Sequence, residues 1–191
     1  MTTSSSLQNK SSIENGLLVF VLADMLMFTM FFIVYCFERS KNLTLYHQSQ
    51  DQLNQTIGMI NTLVLLASSW MLVIATKSIR NNNPRTAMLF MGSAFSCGCI
   101  FVINKVFEYS AKISDGITIL TNDFFMFYYI LTGIHLFHVI CGIVMLFVFT
   151  IRLSNKNQPN LSYSTIEGGA VYWHMVDLLW VIMFPLIYFL T

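Results

Sequence analysis

Residues 123–151 read DFFMFYYILTGIHLFHVICGIVMLFVFTI, with Asp123 at the edge as the only carboxylate and no Lys or Arg inside. A helix of roughly 20 apolar residues crosses a bilayer, and this run is longer than that. Working outward, four more segments clear or approach the same length: Leu17–Phe37, Ile57–Thr76, Thr86–Tyr109 and Ala170–Leu190. The predicted fold class is an all-α integral membrane protein, a bundle of five transmembrane helices. The bulk numbers agree. Hydrophobic residues make up 55% and charged residues 10% of the 191, mean hydropathy is +0.65, and globular proteins average roughly 25% charged residues. A formal net charge of +1 offers no concentrated basic face, which argues against nucleic acid as a partner.

Between the apolar runs lie Glu38–Thr56, Lys77–Arg85, Ser110–Asn122 and Arg152–Gly169, each containing Asn, Ser or charge. Pro84 and Pro159 fall in these connections, where a missing N–H costs nothing, and Pro185 stands near the end of the last run. Residues 1–16, MTTSSSLQNKSSIENG, read as a polar tail ahead of a transmembrane domain spanning 17–191. The run after the tail is too long for a signal-peptide core, and no A-x-A-like site follows it. Five crossings place the termini on opposite sides. Lys10, Lys77, Arg80, Arg85, Arg152 and Lys156 share one side, against Arg39, Lys41 and Lys112 on the other, so the N-terminus is expected inside. Cys36, Cys97, Cys99 and Cys141 all lie in or beside apolar runs. They read as buried small hydrophobes rather than as a disulfide framework or a metal site.

Ionisable residues inside membrane spans are expensive, and each needs a role. Lys105 and Glu108 stand three residues apart on one helical face near the outer boundary, where an ion pair or snorkelling accounts for both. Asp24 and Asp177 both come out roughly 9–11 Å from the inner ends of their helices, which permits a shared polar layer. His174 lies one turn from Asp177, so an Asp–His hydrogen bond is locally available. Asp177 reads as helix–helix glue, whereas Asp24 admits both glue and a proton-accessible carboxylate. His135 and His138 have the i, i+3 spacing that a metal could use. Counted from the inner ends they lie roughly 20–24 Å deep and His174 only about 5 Å, so they do not face one another across a haem. Hydrogen bonding between helices is the expected use of both.

Small residues supply the packing signal. Gly92/Ser96 and Ala94/Gly98 are small-x-x-x-small pairs, Ala67, Ser68 and Ser69 form a similar patch, and Gly133 and Gly142 mark the next helix. Such faces suit an internal bundle or a partner subunit equally. Tyr172 and Trp173 at one end of the last helix, and Tyr188 near the other, fit interfacial anchoring.

These same residues resemble a family. Tyr172–Trp180, YWHMVDLLW, is similar to the most recognisable segment of subunit III of the haem-copper (cytochrome c) oxidases. Thr132-Gly133-Ile134-His135, His138-Val139 and Gly142 resemble that family's T-G-x-H-x-x-H-V-x-x-x-G pattern. Asn61-Thr62, Leu65-Leu66-Ala67-Ser68-Ser69 and Glu108-Tyr109 add two more matching segments in order. The resemblance implies a respiratory-chain accessory subunit of a terminal oxidase or nitric oxide reductase, supporting assembly, stability or proton uptake. It also implies a chain without cofactors of its own. Haem, with copper or non-haem iron, is then expected in a catalytic partner subunit, alongside other subunits and membrane lipids, in a bacterial inner membrane. Asp24 occupies the place of an intramembrane Glu in mitochondrial-type members, one methylene shorter. Seven-helix members carry two further N-terminal helices that form a lipid-filled cleft, for which this length leaves no room. Tyr46–Gln50, Leu53-Asn54, Asn61–Trp70 and Phe124–Tyr129 look most like the five-helix relatives associated with bacterial nitric oxide reductases, with quinol-oxidase subunit III the near alternative.

A stand-alone proton channel or secondary transporter using Asp24, Asp177 and His174 is the competing class. It lacks the repeats or mid-membrane helix breaks that transporters show. A lipid-modifying enzyme lacks a nucleophile elbow, metal cluster or phosphate loop.

Overall fold

The computed structural model describes residues 2–154 and 163–190, with side chains from Gly16 onward. Lys156 and Pro159 lie outside these residues. The order is α1 (Thr2–Lys41), α2 (Leu43–Gln50), α3 (Gln55–Arg80), α4 (Pro84–Ser114), α5 (Asp123–Ser154) and α6 (Tyr163–Tyr188). Among the described residues five helices are long and apolar enough to cross a membrane, α1 through its Gly16–Lys41 portion and α3 to α6 over their lengths. This is the expected multi-pass bundle.

Helix ends are set by the polar residues between the apolar runs. The Asn54 side chain accepts from the backbone N–H groups of Thr56 and Ile57 and starts α3, and Pro84 enters α4 in its first turn. Asn82 takes a left-handed φ of 54° between α3 and α4, a conformation asparagine tolerates better than most residues. Both helices run further than their apolar cores, so the connection between them shrinks to a tight turn. At the other end, α6 starts at Tyr163 instead of Ala170, because Glu167, Gly168 and Gly169 continue the helix.

α3 packs most extensively on α4, α4 on α5, α5 on α6 and α6 back on α3, closing a ring of four. α1 lies outside this ring against α6 and α5. Its residues Leu18, Leu22, Leu26, Met30, Ile33 and Phe37 remain exposed, a stripe at helical spacing suited to lipid. The core is aromatic: Trp173, Trp180, Phe101, Phe124 and Tyr128 are all fully buried.

Glu38–Thr56, read as a polar connection, contains a short helix with a specific task. The last carbonyls of a helix have no partner within it. Here Tyr35 of α1 donates to the Leu186 carbonyl at 3.3 Å, Gln50 of α2 to that of Ile187 at 3.0 Å and Gln55 of α3 to that of Tyr188 at 3.2 Å. Arg39 reaches the carbonyl of Leu190. Three elements therefore satisfy the C-terminal end of α6. Tyr46 of α2 is buried edge-on between Tyr35 and Phe124. That burial, with the nearby carboxylates of Asp123 and Glu38, pushes its hydroxyl up to about 12, so the phenol is neutral at physiological pH.

Two expectations about single residues fail. Trp173 and Tyr188 are both 1% exposed and are core residues, not interfacial anchors. Cys36 and Cys141 are exposed on the outside of the bundle and Cys97 and Cys99 are half-buried. In an apolar solvent a thiol has no reason to be driven inward.

Candidate functional site

The polar residues gather in separate clusters between helices. Lys105 and Glu108 form the largest. Nζ of Lys105 lies 3.0 Å from Oε2 of Glu108, and Oε1 of the same carboxylate accepts the hydroxyl of Tyr128 at 2.8 Å and that of Tyr188. Lys105 also donates to the Tyr188 hydroxyl at 3.0 Å. The ammonium faces the rings of Trp180 at 4.9 Å and Tyr128 at 5.1 Å. The ion pair expected from the spacing is present, but snorkelling is not: Lys105 is 1% and Glu108 4% exposed. Phenols and ring faces from α5 and α6 replace water around both charges.

Asp24 and His138 form the second cluster. Oδ2 of Asp24 stands 3.1 Å from Nε2 of His138, an ion-pair contact whose angle falls short of a hydrogen bond. The inner-end depths had separated these two residues by roughly 10 Å. The apolar run beginning at Leu17 does not mark the end of α1, which continues to Thr2. Counted instead from Lys41 and Asp123 at the opposite ends, the two residues come out within roughly 3 Å in depth.

The protons follow from the partners. Nδ1 of His138 lies 2.8 Å from the Ile134 carbonyl, which can only accept, so Nδ1 carries hydrogen. Nε2 is then the ring nitrogen turned towards the Asp24 carboxylate. Tyr172 donates to the His138 carbonyl at 3.0 Å and Phe28 packs edge-on against the imidazole.

His135 takes a different environment, although it is only three residues away. It is fully buried, stacked on Trp180 with ring centroids 5.2 Å apart and edge-on to Phe101. Neither ring nitrogen has a hydrogen-bond partner among the described residues. The interhelical hydrogen bond expected of His135 is absent, and an aromatic stack takes its place. Among the described residues no three His, Cys, Asp or Glu side chains converge as metal ligands.

His174 and Asp177 do not pair with each other. Nδ1 of His174 lies 3.1 Å from the Ser69 hydroxyl of α3, and Ser69 also interacts with Asp177, whose Oδ1 is buried without a partner among the described residues. A residue of another helix thus joins two groups that spacing alone had linked directly. Asp24 and Asp177 have separate partners and form no shared polar pair.

The model of one protein family, cytochrome c oxidase subunit III, matches residues 3–191. The chain belongs to the cytochrome c oxidase subunit III family. Cytochrome c oxidase subunit 3 of Thermostichus vulcanus is 29% identical over 177 residues, 92% of this chain and 86% of that protein. Cytochrome bo(3) ubiquinol oxidase subunit 3 of Buchnera aphidicola subsp. Baizongia pistaciae is 26% identical over 91% of this chain and 89% of its own length. A heme-copper oxidase subunit I+III of Aeropyrum pernix is 25% identical over 94% of this chain and 23% of that longer protein.

Several residues of the subunit III-like segments have visible tasks. A Cβ on Gly142 would meet Trp173 at 2.5 Å and one on Gly98 would meet it at 2.9 Å, so these glycines open the slot that the indole of α6 fills. Thr132 pairs with the Tyr109 hydroxyl, and Thr62 accepts the indole N–H of Trp180 at 3.0 Å. Ala94 and Gly98 are buried, whereas Ser96 of the other small-residue pair is exposed and Gly133 has open space around it. Sequence reasoning missed Tyr128, Ser69 and the Asn61–Asn104 contact at 2.8 Å. The signal available for Asn61 and Asn104 was their polarity in otherwise apolar runs.

Proposed function

We propose that this subunit III-family chain is a non-catalytic accessory subunit of a haem-copper respiratory oxidase, docked beside the subunit that holds the redox centres. The observation that carries the reading is the extent of the match: the family model covers residues 3–191, and the relatives described above are named as oxidase subunits. The Aeropyrum pernix relative, named as subunit I+III in one chain, supports placing the catalytic subunit as direct partner. That partner would carry haem and copper. Non-haem iron would replace copper if the complex is a nitric oxide reductase, a branch to which none of the three relatives is named. Bacterial relatives support the inner membrane, and the basic-residue bias supports an N-terminus inside.

Within that role, the Asp24–His138 pair is the candidate proton-handling element, because it brings a carboxylate oxygen and an imidazole nitrogen from two helices to 3.1 Å inside the span. Glu108, His135, His174 and Asp177 are read as structural polar residues of the span. The transporter reading gains nothing from the relatives. Extraction from the native membrane in mild detergent, followed by a visible spectrum and identification of co-purifying chains, tests the assignment. Haem absorbance that arrives with a large multi-helix partner and leaves when the partner is stripped away is expected. A colourless chain that purifies alone would overturn it.

A further inference from the structure

A groove of about 650 Å³ separates α3 from α6 near the C-terminal end of α3 and the N-terminal end of α6; of the clusters described above, only the one at Ser69 and Asp177 reaches it, through His174. Val73 and Val171 line its walls, His174 its deep end, and Lys77, Arg80 and Glu167 its rim. Lys77 and Arg80, three residues apart, share one face of α3. No hydrogen bond or ion pair among the described residues engages the charges of Lys77, Arg80 or Glu167. We propose that this groove binds a glycerophospholipid whose headgroup carries both a phosphate and a primary ammonium, with the start of its acyl chains laid between Val73 and Val171.

The rim decides the headgroup. Two cations on one wall match a phosphate, Arg through its planar fork and Lys as a point charge. An anionic headgroup such as that of phosphatidylglycerol meets the same two cations through its phosphate but brings no cation to Glu167. A primary ammonium there donates charge-assisted hydrogen bonds to the carboxylate, whereas a quaternary choline has no N–H to donate. The walls decide that the ligand is a lipid. From Arg80 to Val73 the groove descends roughly 10 Å along α3, past a charged rim into apolar sides. Basic pockets between transmembrane helices are recognised lipid-headgroup sites. This inference goes beyond the accessory-subunit reading and stands whether or not that reading holds.

The test is native mass spectrometry of the full-length chain, delipidated in detergent and titrated with dioleoyl phosphatidylethanolamine, phosphatidylglycerol and phosphatidylcholine. One phosphatidylethanolamine should bind about tenfold tighter than phosphatidylcholine, the effect of one good charge-assisted contact. Glu167→Gln should abolish its advantage over phosphatidylglycerol, and Lys77→Gln with Arg80→Gln should weaken both. Val171→Trp, which fills the groove without touching a charge, should lower phosphatidylethanolamine binding by a similar factor. Equal binding of phosphatidylcholine, or an unchanged order of preference in Glu167→Gln, would overturn the proposal. So would competition by chain-free glycerophosphoethanolamine as effective as that of the whole lipid.

Discussion

The first and last membrane helices solve opposite problems. α1 is the most apolar of the five spans and the least buried, with 6% of its 18-residue apolar stretch inside the protein, while α6 is the least apolar and has 50% inside. In water this order would be reversed. In a bilayer the surroundings are as apolar as any core, so hydrophobicity does not drive a helix inward. What draws α6 to the centre is its polar and shape-specific content: Trp173 in the glycine slot, Trp180 on Thr62 and His135, Asp177 at Ser69 and Tyr188 on the Lys105–Glu108 pair. α1 is joined to the ring mainly through Asp24 and His138, and through Tyr35 and Arg39 at the end of α6.

Removing Glu108 should separate the two most sharply. Glu108→Ala strands the buried Lys105 ammonium and leaves two phenols without their acceptor, an expected loss of about 3–5 kcal/mol, read as unfolding in a detergent–SDS titration. Lys105→Met combined with Glu108→Leu should recover most of that loss, since replacing both charges leaves none unpaired. Failure of the double variant to recover would mean that the phenol network, rather than the stranded charge, sets the stability around α6.

A smaller loss is expected from Gly142→Ala, which puts a methyl into the space of the Trp173 indole. Overpacking of this kind costs about 1–3 kcal/mol, and quenching of tryptophan fluorescence by a lipid-side quencher should rise as the indole is pushed from its slot. An unchanged stability and spectrum would show that α6 can shift as a body and that the slot does not position it.

Asp24→Asn should have the least effect on folding, within about 1 kcal/mol, as single polar contacts between membrane helices generally do. The informative measurement is turnover of the assembled oxidase. If the pair handles protons, turnover slows or inactivation quickens with assembly intact. Unchanged turnover would leave Asp24 and His138 as a tether of α1 alone.

Much of this architecture is legible in the sequence. The five spans, the Lys105–Glu108 pair, the small-residue seam at Ala94 and Gly98 and the family resemblance all rest on local runs and spacings. Partners across helices were not legible. Depth counting placed Asp24 and His138 apart because the apolar run and the helix start at different residues. It linked His174 to Asp177 because they share a helix, whereas the group that bridges them is on α3. Tyr188 and Trp173 looked like interfacial anchors because aromatic residues near helix ends usually are.

Sequence alone determined that the chain crosses the membrane five times, since crossing depends on summed hydropathy over about 20 residues, and that sum is local and additive. Tertiary structure decided which side of each helix faces protein. That depends on the rotation and sliding of helices against one another, and with lipid as apolar as the core, the pattern of Leu, Val and Phe carries little record of it. The polar residues and glycines do carry one. Yet each can be read only with its partner in place: Asp24 with His138, Ser69 with His174, and Gly142 with Trp173.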